Sequence, residues 1–345
     1  MSGEFNLIAR HWWRPTPPSG PVLLGNGDDC ALLAPAPGMA LATSTDMLVA
    51  GRHFLPDVDP EALGHKALAV NLSDLAAMGA RPLAFTLALA LPSVDDTWLA
   101  ALARGMLALA DAHGCALVGG DTTAGPLALS LTVFGEVPPA QALRRSAARV
   151  GDDVWVSGTV GDARLGLALL RGEWPPPARA DWQAHVRARL ERPTPRVALG
   201  LALRGIAHAA IDVSDGLVAD LGHVLAASGV AAELDIDALL EGQAVHPAVR
   251  ALPPAEALSC VLAGGDDYEL VFTAPAARRA EVLAAADTAQ TPVTRIGRIV
   301  PGPVATHPLA DGHARVHLCD AQGRPYPVPP GTRLGGFDHF ATMSA

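Results

Sequence analysis

The chain has 345 residues, enough for two domains of ordinary size. Its formal net charge of −10 argues against a general nucleic-acid binder and against docking on an anionic membrane surface. Four scattered cysteines (Cys30, Cys115, Cys260 and Cys319), with no CxxC, fit a reducing compartment and neither a zinc site nor a disulfide framework.

In chain order, residues 4–13 read as a short amphipathic helix, followed by a stiff loop carrying Pro15, Pro17, Pro18 and Pro21. Glu4 and the lack of a long apolar run argue against a signal peptide there. Short strands are expected at 30–33 and 39–43. Residues 60–78 read as a helix, with Pro60 at its start and Gly79 just past its end. A buried strand at 83–91 stops at Pro92, far too short to cross a bilayer, so a soluble cytoplasmic protein is expected. A helix over 95–113, a strand at 115–118 and a strand at 127–137 follow. The pattern restarts across 137–151, where a polar, arginine-bearing stretch precedes a new strand at 154–157. The expected domains are therefore 1–140 and 150–345. The second holds helices near 162–171, 182–191 and 196–204, a strand at 209–213, a helix from about Leu217, and strands at 268–273, 292–299 and 314–318. Strands and helices mix throughout, so the class is α/β or α+β.

The chain has 25 aspartates against 10 glutamates, and the aspartates recur at turn-like sites. Asn26-Gly27-Asp28-Asp29 precedes an apolar strand; Ser44-Thr45-Asp46 and Gly119-Gly120-Asp121 are read as strand ends. Asp212-Val213-Ser214-Asp215-Gly216 leaves another strand, and Gly264-Gly265-Asp266-Asp267 precedes one more. Each alone is ordinary turn or cap chemistry. Together they suggest a hard-cation site, because clustered carboxylates repel unless a cation lies between them. Asp74 is the sharpest case. It lies three residues from Asn71 on one face of a helix that is apolar nearly all round, where a carboxylate needs a partner. That partner is read as a metal, with Lys66, the only lysine, as the alternative.

The chain has no GxxxxGK[ST], kinase glycine loop, GxSxG or HExxH. A phosphate ligand would have to be held by metals and arginines, with Arg144 and Arg145 as candidates.

GDDCALL, STDMLVAGRHFLPD, KALAVNLSDLAAMGARP, GGDTT, IDVSDGLVADLGH and GGDDYEL occur in this order along almost the whole chain, from Gly3-Glu4-Phe5 to Phe337-Asp338-His339-Phe340. In these motifs the sequence closely resembles the bacterial thiamine-monophosphate kinases, of the superfamily that includes aminoimidazole ribonucleotide synthetase. The resemblance implies a two-domain aminoimidazole ribonucleotide synthetase-like fold, α/β then α+β, and a homodimer formed through the N-terminal domains. It implies ATP-dependent, Mg2+-assisted phosphorylation of thiamine monophosphate to thiamine diphosphate by direct in-line transfer. Carried over residue by residue, the ligands of several Mg2+ ions would be Asp29, Ser44, Thr45, Asp46, Asp74, Asp121, Asp212 and Asp215. ATP would be met by Gly120, Asp121, Arg145 and Ser214, and the thiamine side by His53, Asp266 and Phe337. From the residues alone, His53 reads as a surface-loop histidine and Phe337 as packing. Two departures stand out: Asp266 occupies a position where the family commonly has Glu, and Phe337 one where tyrosine or another aromatic is usual. The alternatives are another ATP-using enzyme of the superfamily, or a non-catalytic protein that binds metal and nucleotide.

Overall fold

The computed structural model describes residues 4–17, 19–302 and 315–337. Of the residues named above, Gly3, Pro18, residue 314 and Asp338–Phe340 lie outside this set. The chain forms two compact units, residues 1–142 with 191–197 and residues 143–190 with 198–345.

The first unit opens with a helical turn, Glu4–Leu7 (α1), that widens into a π-helical turn over Ile8–Trp12 and buries Trp12. Strands Val22–Leu24 (β1) and Leu32–Leu33 (β2) pair antiparallel. The main sheet holds Ala40–Val49 (β3), Arg81–Leu91 (β4), Ala116–Ala124 (β5) and Ala128–Val137 (β6) in the order β3-β6-β4-β5. Helices Pro60–Ala77 (α2) and Asp96–Ala112 (α3) complete the unit. Helix α2 starts where Asp59 accepts the Ala62 amide and Pro60 presets the first turn. It stops at Gly79, whose φ of 63° suits a residue without Cβ. Helices α2 and α3 meet backbone to backbone: a Cβ on Gly64 would lie 2.0 Å from the Leu102 carbonyl oxygen, and one on Gly105 1.8 Å from that of Glu61.

Parallel β4 and β5 are joined through α3, a βαβ crossover, while β6 runs antiparallel to both β3 and β4. One face of the sheet is buried by Leu87, Leu129, Leu131 and Val133. The other leaves Leu41 48% and Met47 58% exposed. The short segment 191–197 belongs to this unit: Arg192 pairs with Asp59 and Glu61, and His65 Nε2 lies 2.8 Å from the Pro193 carbonyl oxygen.

The second unit is built on strands Asp152–Ser157 (β7), Ala209–Asp212 (β8), Val230–Asp235 (β9), Leu270–Pro275 (β10), Val293–Pro301 (β11) and Val316–Cys319 (β12). Their order is β12-β9-β11-β7-β10-β8, antiparallel except for β12 beside β9. Its helices are Asp162–Leu170 (α4), Ala180–Glu191 (α5), Val197–Ala202 (α6), Leu217–Ser228 (α7), Ile236–Glu241 (α8), Pro247–Arg250 (α9), Pro254–Ala263 (α10) and Arg279–Thr288 (α11). The core gathers Val154, Val156, Ile211, Leu221, Leu258 and Val271. No helix among the described residues is long and apolar enough to cross a membrane.

Two acids read as ending strands lie inside them. Strand β3 continues three residues past Asp46, and β5 three past Asp121. The cause is pairing: β6 matches β3 residue for residue from Ala40 to Val49, and β4 carries β5 through Ala124. A continuous ladder outweighs the turn preference of Gly-Gly and of a lone Asp.

Candidate active site

Strand β3 alternates, so Ser44 and Asp46 share one face and Thr45 takes the other. Ser44 Oγ donates to Asp74 Oδ2 on α2 at 2.5 Å. One turn earlier on the helix, Asn71 Oδ1 accepts the Asp46 amide at 3.1 Å and its Nδ2 donates to the Ala67 carbonyl. Ser44, Asp46, Asn71 and Asp74 therefore form one knot between strand and helix. Burial, and then the charge of Asp74, push the Asp46 carboxyl up to about 6. Two carboxylates held this way favour a cation between them.

Thr45 stands apart. Its hydroxyl bonds Thr132 on β6 at 2.8 Å, on the opposite face of the sheet, so it can reach the Asp46 side only through its main chain. Asp28 and Asp29 are exposed, and the Asp28 carboxylate accepts the Asp29 amide at 2.8 Å. His53 lies in the turn after β3, where its Nδ1 accepts the Val49 amide at 3.0 Å.

Gly120 and Asp121 sit on β5, the far edge of the same sheet. The ladder aligns Asp46, Leu131, Leu87 and Gly120 in one row, and Met47, Ser130, Ala88 and Asp121 in the next. Neighbours in a row share a face, so Asp121 lies with Met47 on the exposed side, opposite Asp46. Three strand spacings put these edges about 14 Å apart. The close backbone at Gly120 fits only glycine, since a Cβ there would be 1.9 Å from the Leu87 carbonyl oxygen.

In the second unit, Asp212 ends β8, and the loop over Val213–Gly216 leads into α7. Asp220, inside the first turn of that helix, accepts the amides of Ser214, Asp215 and Gly216 on one oxygen, each at 3.0 Å. Burial, with the charges of Asp212 and Asp215, pushes the Asp220 carboxyl up to about 8. Ser214 takes the Asp266 amide on its carbonyl at 2.7 Å, and the Asp215 carbonyl takes the Phe337 amide at 3.0 Å. Ser214, Asp215, Asp266 and Phe337 are thus brought together, with Phe337 50% exposed. Arg144 and Arg145 are exposed, at a turn held by Ser228, which donates to the Arg145 carbonyl at 2.8 Å.

Asp220 was not singled out from sequence. The signal was present: an acid inside an apolar helix, as with Asp74, five residues after Asp215.

Among the described residues, no three of the implied carboxylates lie within 4.8 Å of one another. The group that does converge within 4.8 Å is Asp162, His185 and His246. His185 Nε2 lies 2.9 Å from Asp162 Oδ2, and the two imidazoles stack with centroids 3.9 Å apart and planes 14° from parallel. A metal bound by imidazole lies in the ring plane, and two stacked planes share no such point. The group reads as a hydrogen-bonded stack.

Family models for AIR synthase related proteins match both halves, the N-terminal domain at residues 27–137 and the C-terminal domain at 140–308. The class that fold and sequence define is that of the AIR synthase related proteins. The thiamine-monophosphate kinase of Salmonella typhimurium is 45% identical over 340 residues, 99% of each chain. The crystal structure of thiamine-monophosphate kinase from Stenotrophomonas maltophilia is 48% identical, with a TM-score of 0.78 over 89% of this chain and 92% of that one. The structure of AaThiL complexed with AMPPCP and TMP is 29% identical, with a TM-score of 0.70 over 89% of each chain. The chain belongs to the thiamine-monophosphate kinase family.

Proposed function

We propose that this chain transfers the terminal phosphoryl group of ATP to the phosphate of thiamine monophosphate, giving thiamine diphosphate and ADP. The observation that carries the reading is the Ser44–Asp46–Asn71–Asp74 knot, an acid pair with nothing of the P-loop or protein-kinase type beside it. It occurs in a chain whose full-length relatives are named thiamine-monophosphate kinases. Asp29, Ser44, Asp46, Asp74 and Asp121, with the main chain of Thr45, would hold Mg2+ in the first unit; Asp212 and Asp215 are the corresponding ligands within the second. Gly120, Asp121, Arg145 and Ser214 meet ATP, and His53, Asp266 and Phe337 meet the thiamine side. Phe337 offers a ring face for stacking and no hydroxyl.

The acceptor is a phosphate monoester, with a second pKa near ~6, so it is already largely dianionic at neutral pH. No strong general base is needed. The barrier is bringing two polyanions into line, and Mg2+ supplies the charge neutralisation. Transfer is direct, without a phosphoenzyme.

A second copy completes the arrangement. Within one chain Asp46 and Asp121 stand on opposite edges and faces of the sheet. The partly apolar exposed face carrying Leu41, Met47 and Asp121 is suited to pair with its counterpart in a homodimer.

The test is ADP release from ATP and Mg2+ with three acceptors offered separately: thiamine monophosphate, thiamine and formylglycinamidine ribonucleotide. Turnover with thiamine monophosphate alone supports the reading. Turnover with the purine intermediate, or tight ATP binding with no turnover on any acceptor, refutes it.

A further inference from the structure

The loop that leads into β10 is held under strain. Asp266 and Tyr268 both adopt left-handed backbone, with φ of 63° and 52°, a region side-chain-bearing residues avoid. Such strain persists only where its surroundings fix it, and it clusters at functional sites.

What fixes it is a buried polar lattice. The Asp266 and Tyr268 amides donate to the Ser214 and Val213 carbonyls at 2.7 and 2.9 Å, and the Val213 amide donates to the Glu269 carbonyl at 2.8 Å. The Asp267 carboxylate receives the Gly161 amide at 2.8 Å at the start of α4. Arg189, reaching in from α5, ties the loop at its centre. Its Nη2 donates to the Asp267 carbonyl at 2.8 Å and to Glu269 Oε1 at 2.7 Å. The other Glu269 oxygen accepts Ser157 Oγ at 2.5 Å, and that hydroxyl in turn accepts the Leu270 amide at 2.8 Å. Glu269 is fully buried, and the space around it is filled: a Cβ on Gly158 would lie 2.2 Å from Oε1. The side chain that bonds the carbonyl between the two strained residues is therefore itself oriented by a fully buried carboxylate.

We infer that Arg189 is a positioning residue for the acceptor side of the site: with Glu269 orienting its guanidinium, it holds residues 265–268 in the conformation that presents Asp266. The inference rests on the reading of Asp266 as a thiamine-side residue. Arg189 touches no substrate in this assignment. Its loss should loosen the acceptor loop while leaving the Asp220-held turn at Ser214 and Asp215 in place. Acceptor binding should suffer and ATP binding should not.

The experiment measures KM for thiamine monophosphate and for ATP separately, together with the melting temperature, on full-length Arg189→Lys, Arg189→Met/Glu269→Gln and Asp266→Ala. Removing both charges together avoids stranding one buried ion, so the double variant should melt close to wild type. Its acceptor KM should rise at least about tenfold, the worth of a lost charge-assisted hydrogen bond, with ATP KM within about twofold of wild type. Lysine, shorter and without the planar fork, should recover part of the loss. A double variant that melts like wild type and keeps its acceptor KM overturns the inference. If that variant does not fold, Arg189→Lys decides, and a wild-type acceptor KM there overturns it. An effect of Asp266→Ala with none from Arg189 sinks only this inference. A wild-type acceptor KM in Asp266→Ala sinks the thiamine-side reading and this inference with it.

Discussion

Asp46 and Asp74 carry opposite lessons about what a carboxylate in a sequence reveals. Asp74 stood out because an acid inside an apolar helix needs a partner, and it has one in Ser44. Asp46 reads as a turn residue in the sequence and is a strand residue in the fold, lifted to about 6 by burial and by Asp74. That shift has a thermodynamic consequence. The folded protein holds a proton on Asp46 that the unfolded chain, with an ordinary Asp, releases near pH 4. Asp46 therefore contributes stability that is fully present below about pH 4 and is lost as pH rises to about 6. Mg2+ should reverse this, since the cation favours the ionised form. Thermal melts with and without Mg2+ at pH 5 and pH 7 check it: the Mg2+-induced rise in melting temperature is expected to be larger at pH 7. The facing of β3 gives a second test. Thr45→Val, whose lost hydroxyl faces Thr132, should keep activity within a few-fold, whereas Ser44→Ala, which removes the hydroxyl that donates to Asp74, should lose far more. Steady-state rates at limiting Mg2+ compare the two.

Among the elements, helices with explicit punctuation were legible. Pro60 and Gly79 bracket α2, and Asp95 caps α3 by accepting the Thr97 and Trp98 amides. The failures have physical causes. Strand β9 follows directly on the helix ending at Ser228, with Gly229 as its only punctuation, and its VAAELD alternates weakly. Helices α10 and α11 were missed because alanine supports a helix without marking a buried face. The acceptor loop was visible as GGDD, but its strain and the Arg189 contact were not, because they join residues about 80 positions apart. The α2–α3 contact yields a prediction at this scale. Gly64→Ala must push a methyl into the Leu102 carbonyl, an overpacking that costs about 1–3 kcal/mol. A chemical denaturation midpoint unchanged from wild type would show that the helices separate freely.

At the scale of the whole molecule, β3 and β5 are opposite edges of one sheet, so the proposed assignment of both Asp46 and Asp121 to Mg2+ calls for a second copy. Met47→Arg, placed on the exposed face, should convert a dimer of 35.4 kDa chains into monomers in sedimentation analysis and should abolish turnover. A wild-type chain that is monomeric and fully active would remove the need for a second copy. The knot on β3 and α2 remains the centre of the account, and Mg2+ dependence tests it most directly. Thiamine diphosphate formation from ATP and thiamine monophosphate should be measured across a Mg2+ titration for wild type, Asp46→Asn and Asp74→Asn. Both variants should remain folded, lose activity by orders of magnitude and need more Mg2+ for what remains. Wild-type rates in both variants at limiting Mg2+ would contradict the assignment.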